Sequence, residues 1–139
     1  MLVPKKTKHR KWHKGRSRTR VVETRGLSIS YGIYGLQATE SARLNSRQIE
    51  AARRTITGSL KREGKLFIRV FPHKPVTKRP PEMTLGGGKG SVDHYVAEIK
   101  PGRIVFELDG TSKEKALRAF KLAAYKLPFK SKVVMKENA

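Results

Sequence analysis

The chain has 139 residues, 37% of them hydrophobic, with 32 Lys and Arg against 11 Asp and Glu and a net charge of +21. That size fits one domain, 1–139, able to bury a core, and self-repulsion at such a charge favours a polyanionic partner. The absence of cysteine excludes disulfides, cysteine zinc sites and cysteine nucleophiles.

The charge is uneven. Residues 1–90 carry 22 basic and 5 acidic side chains, residues 91–139 carry 10 and 6. Residues 1–20 hold nine Lys or Arg, two His and Trp12, with no acid. They cannot form a core alone and are expected to be an extended arm that orders on its partner. The same stretch lacks the apolar run of a secretory signal.

From Leu27 the alternation of Leu27, Ile29, Tyr31 and Ile33 predicts a strand, interrupted by Gly32 and Gly35. "NSRQIEAARRTITGSLKREGK" is the clearest helix. Asn45 is its expected cap, with Gln48 as box partner and Gly64 as stop. Ile49, Ala52, Ile56 and Leu60 share one stripe, and Arg47, Arg54 and Lys61 nearly the opposite one, flanked by Arg53 and Arg62. "KLFIRVFP" predicts a strand ended by Pro72, with Leu66, Ile68 and Val70 on one side and Phe67, Arg69 and Phe71 on the other. Residues 73–93 are rich in Pro and Gly and are expected to be a long functional loop. "HYVAEIKPGRIVFELDG" predicts a hairpin turning at Pro101–Gly102. A second helix is expected from a Thr111 cap, with Glu114 as box partner, to a stop at Pro128. Its apolar face would be Ala116, Phe120, Ala123, Ala124 and Leu127. "FKSKVVMK" predicts a last strand. The expected class is α+β, a mainly antiparallel sheet with two helices packed on it.

The loop sequence "EMTLGGGKGS" resembles a nucleotide cradle, but a Walker loop needs G-x-x-x-x-G-K-[ST] between a strand and a helix. Met83 stands where the first glycine belongs, Gly90 follows Lys89, and a strand rather than a helix comes next. The glycines and Lys89 still suit phosphate, with Lys78 and Arg79 just upstream. His9 and His13 have the spacing of a helical metal pair, but surrounding cations and the lack of a third ligand disfavour a metal. Asp93, His94 and Glu98, or Glu107 and Asp109, read as partners of surface cations rather than acid–base groups. Ser91, Asp93 and His94 are triad residue types, but neighbours on a strand alternate faces. No cofactor, metal or catalysis is expected.

A basic arm with Trp12, a cationic helix face and a Gly/Lys loop together favour folded RNA, through phosphate contacts and aromatic stacking. DNA would call for a recognition helix and a dimer seam, and neither is evident. No run approaches the ~20 apolar residues of a membrane span. No membrane partner or homo-oligomer is expected.

"PKKTKHRKWHKGR", "YGIYGLQA", "RQIEAARR", "GKLFIRVFPHKPVTKRP", "GGGKGSVDHYVAEIKPGRIVFELDG" and "AAYKLP" occur in one order along the chain. This set resembles the bacterial ribosomal protein L-sixteen family, over essentially the whole sequence. The resemblance implies an α/β-hammerhead fold and a structural role in the large ribosomal subunit. It implies partners in large-subunit rRNA, tRNA in the aminoacyl site and neighbouring ribosomal proteins, with late entry into assembly. The setting would be the cytoplasmic ribosome, although organelles also carry the family. Lys5, Lys6, Lys8, Arg10, Lys11, His13, Lys14 and Arg16 match the RNA-contacting arm, which Arg18 extends. Arg47, Arg53 and Arg54 match the helix, with Arg62 beside them, and Gly86, Gly87, Gly88, Lys89 and Gly90 match the tRNA-facing loop, with Lys78 and Arg79 behind it. The family loop usually reads Arg-Met-Gly-x-Gly-Lys-Gly, its arginine hydroxylated in some bacteria. Here Thr84, Leu85 and Gly86 stand in the first three places. The alternative function is a free RNA-binding or RNA-chaperone module.

Overall fold

A computed structural model describes residues 2–12, 22–79 and 88–136. In chain order the elements are β1 (Tyr34–Ala38), β2 (Ala42–Asn45), α1 (Ser46–Ser59), β3 (Lys65–Ile68), β4 (Lys74–Lys78), β5 (Ser91–Ile99), β6 (Ile104–Asp109), α2 (Lys113–Ala124) and β7 (Ser131–Met135). The class is α+β with antiparallel pairing, as expected, but the strands divide into two sheets. One has the order β3-β6-β1-β7, the other β2-β5-β4.

The division overturns the expected hairpin. β5 and β6 are joined through Pro101–Gly102 yet lie in different sheets. Both edges of β6 are taken, by β3 and β1, so no edge remains for β5. β5 instead runs between β2 and β4.

α1 forms as read. Asn45 Oδ1 accepts from the Gln48 N–H at 2.9 Å, and Gln48 Oε1 accepts from the Asn45 N–H at 3.0 Å. Its stripe of Ile49, Ala52, Ile56 and Leu60 is buried with Phe106, Leu108 and Phe120 in the core. The stop lies earlier than Gly64. Lys61 and Arg62 have φ of 49° and 65°, and the Arg62 N–H bonds the Thr57 carbonyl at 3.0 Å, closing the helix after Leu60. Gly64 belongs to the turn into β3 instead.

α2 is capped one residue later than expected. Ser112 accepts from the Lys115 N–H, while the Thr111 hydroxyl donates to the Ser112 carbonyl, so Thr111 and Glu114 form no capping box. Its buried face is Ala116, Ala119, Phe120 and Ala123. Lys115 Nζ reaches Glu63 Oε2 at 2.8 Å and ties the start of α2 to the turn between α1 and β3. That hydrogen bond is the main reason the Glu63 carboxyl ionises below its ordinary range.

The strand expected over 27–33 is not one; among the described residues regular structure begins at Tyr34. Residues 22–33 are instead a strap across the sheet. The Glu23 N–H bonds the Pro101 carbonyl, the Gly26 carbonyl accepts from Ile104, and the Ile33 N–H bonds the Leu108 carbonyl. The reason lies in one row across the sheet: Phe67, Glu107, Gly35 and Val134 are cross-strand neighbours. Ile29 sits over Gly35, where a Cβ on Gly35 would stand 3.1 Å from it and 3.3 Å from Val134. A Cβ on Gly32 would meet the Leu108 carbonyl oxygen at 2.5 Å, so only glycine lets the strap lie this close. The strap explains why β6 is buried along Ile104–Leu108.

The long loop expected over 73–93 is interrupted. Lys74–Lys78 form β4, and β5 begins at Ser91. Pro75 hid the strand in the sequence, but β4 is an edge strand, where proline is tolerated.

Candidate nucleic-acid interface

The expected arm is described over residues 2–12, without regular secondary structure. Leu2 packs against the core, while Lys5, Lys6, Lys8, Arg10 and Lys11 are exposed. His13, Lys14, Arg16, Arg18, Gly86 and Gly87 lie outside the described residues, as does Thr84.

Arm and loop, which the sequence keeps 77 residues apart, meet. Lys11 Nζ donates to the Lys89 carbonyl at 3.0 Å, and Lys89 Nζ donates to the Trp12 carbonyl. The Trp12 ring lies edge-on to His73, with centroids 5.5 Å apart. Beside this junction is a cleft of about 270 Å³ lined by Trp12, Lys89, Arg43 and β4. Arg43 and Glu98 are cross-strand partners on β2 and β5, and Lys74 of β4 approaches the same carboxylate. Two cations therefore share one acid. The buried Lys74 ammonium requires it, because an ion out of water needs a close counter-charge.

The cations of α1 fall into two groups rather than one stripe. Arg47 is exposed at the N-terminal end and lines a concavity of about 370 Å³ with Lys78, Asp93 and His94. His94 Nδ1 is 2.7 Å from Asp93 Oδ2, so these adjacent residues do hydrogen-bond, although no Ser–His–Asp chain including Ser91 is formed. At the other end Arg53, Arg54, Lys61 and Arg62 line a groove of about 730 Å³. Here charge is partly answered. Arg53 binds Glu50 through two hydrogen bonds, at 2.6 and 2.8 Å, and Arg54 through one at 3.1 Å. The Arg53 hydrogen bond above all holds the Glu50 carboxyl at about 2, so it stays ionised at any physiological pH. Lys61 and Arg62 occupy left-handed backbone, which costs a non-glycine residue roughly 1–2 kcal/mol.

The one buried carboxylate among the described residues is not at a basic face. Glu107 is fully buried, where the sequence suggests a surface partner. Its Oε1 accepts from the N–H groups of Ser30, Tyr31 and Gly32 at 3.0, 2.8 and 2.9 Å, and its other oxygen binds Arg69. Burial opposes its ionisation, but the Gly32 N–H, the Arg69 guanidinium and the Tyr31 N–H outweigh that and hold its carboxyl below the usual range. The sequence clue was a single acid inside the apolar run "IVFEL", since an acid in such a strand needs a partner.

Among the described residues no group of three His, Asp or Glu could hold a metal, and no helix is long and apolar enough to cross a membrane. The class so defined is a strongly basic α+β protein whose exposed cations gather at an arm–loop junction and along a helix. The family model for ribosomal protein L16p/L10e matches residues 4–134, and the chain belongs to that family. A curated relative, large ribosomal subunit protein uL16 of Acinetobacter baylyi, is 54% identical over 134 residues, 96% of each chain. The protein of the same name from Acinetobacter baumannii is 53% identical over the same coverage. The chain is thus a structural constituent of the large ribosomal subunit, not an enzyme.

Proposed function

We propose that the chain binds large-subunit rRNA through its arm and the outer face of α1, and that the loop around Lys89 contacts tRNA in the aminoacyl site of the cytoplasmic ribosome. The whole chain, 1–139, acts as one unit that joins the subunit late. The observation that carries this reading is the pair of contacts by which Lys11 Nζ donates to the Lys89 carbonyl and Lys89 Nζ to the Trp12 carbonyl, which gathers arm and loop cations at one junction. Such a surface suits the closely spaced phosphates of folded RNA. Arg47 and Lys78 add a second cationic concavity, tempered by Asp93, while Arg53 and Arg54 offer less because Glu50 already engages them.

Sedimentation tests the role: the protein should travel with large subunits, and persistence in the soluble fraction while other large-subunit proteins sediment would refute it. Removing residues 1–16 should impair incorporation. Lys89→Ala should spare incorporation and slow tRNA accommodation, and equal, null effects of both changes would overturn the assignment of arm and loop.

A further inference from the structure

Tyr31 is 63% exposed, yet it is held from several directions. Its N–H is fixed on the buried Glu107 carboxylate. Its ring stacks on Phe67 with centroids 5.5 Å apart and planes at 26°, and the Arg69 guanidinium carbon lies 5.1 Å from its centre. Arg69 is itself bound by the other Glu107 oxygen. One buried acid therefore sets both the Tyr31 backbone and the guanidinium that faces its ring. Neither the arm, the loop nor the α1 face includes this cluster.

We propose that Tyr31, with Phe67 and Arg69, is a stacking platform for an unpaired base of large-subunit RNA, an inference that rests on the RNA-binding reading above. Splayed-out bases of single-stranded RNA stack on aromatic rings, and the exposed ring here is that of Tyr31, backed by Phe67 and Arg69. The ring is already ordered by its neighbours, so a base would fix little further motion on binding. The charge pattern favours a base over a phosphate: Arg69 is neutralised by Glu107, so the site offers a π surface more than a cation. Lys65, exposed and two residues before Phe67 on the same side of β3, is placed for the phosphate of the same nucleotide.

The test uses large subunits carrying the wild-type chain, Tyr31→Phe, Tyr31→Leu or Tyr31→Ala, probed with reagents for base edges and for 2′-hydroxyl mobility. Leucine keeps apolar packing on Phe67 but has no ring to stack, so it separates stacking from folding. The expected result is one unpaired nucleotide, or two adjacent ones, whose reactivity rises at least about threefold with leucine or alanine and stays at the wild-type level with phenylalanine. Identical reactivity at every rRNA nucleotide in subunits that contain the leucine variant would overturn the platform. So would a cross-link from position 31 to a neighbouring protein with no change in the RNA. Both outcomes leave the RNA-binding reading standing, because that reading is tested separately, by sedimentation of the wild-type chain and by the arm and loop variants.

Discussion

Among the described residues two irregular segments precede β1, and they are held in opposite ways. The strap, residues 22–33, is fastened by a buried carboxylate that receives three backbone N–H groups, and by glycines that let it touch the sheet. The arm, residues 2–12, is held by exposed contacts of Lys11, Trp12 and Lys89, with Leu2 tucked against the core. A segment whose partners lie inside the protein is ordered by folding. A segment whose cations face water keeps its donors for another molecule, and exposed contacts of that kind contribute little to stability.

Removing the fastening of the strap should have the largest effect. Glu107→Ala leaves Arg69 and three backbone donors without their acceptor, and urea unfolding should show a loss of about 3–5 kcal/mol. The carboxyl ionises below its ordinary range when folded, so its contribution is complete above the unfolded value of about 4.3 and disappears as pH falls through the folded value. Glu107→Gln should therefore flatten the acid limb of the stability profile; an unchanged limb would mean that Glu107 is not the group responsible. Next comes Gly32→Ala, whose Cβ would collide with the Leu108 carbonyl and should cost about 1–3 kcal/mol, read as a fall in melting temperature.

Smaller effects sharpen the contrast at the helix. Asn45→Ala removes the capping acceptor of α1 and should cost about 1 kcal/mol by urea unfolding. Arg62→Gly should change stability and binding in opposite directions. Relief of the left-handed backbone should stabilise the free protein by about 0.5–1 kcal/mol, while the salt dependence of rRNA binding should fall by about one phosphate contact. Lys89→Ala should change stability by no more than about 0.5 kcal/mol, yet increase proteolysis within the arm.

Local patterns were legible wherever one element carried its own signal. The Asn45–Gln48 box and the stripe from Ile49 to Leu60 needed only helical spacing. The last strand was equally plain. What escaped was set by distant partners. Leu27 to Ile33 alternates like a strand, but Glu107, more than seventy residues on, draws the N–H groups of Ser30 to Gly32 out of any ladder. β5 and β6 read as a hairpin because nothing within "KPGR" shows that β1 and β3 occupy both edges of β6. The meeting of Lys11 with Lys89 could not be read from either segment, because it depends on where the arm crosses the fold.

Hydrogen exchange compared between the free protein and the intact large subunit tests the contrast most directly. The amides of Ser30, Tyr31 and Gly32 should be protected to the same degree in both, because Glu107 holds them in either state. Amides of residues 5–12 should exchange fast in the free protein and slowly on the subunit. Equal protection of the arm in both states, or fast exchange of the strap amides in the free protein, would contradict the account.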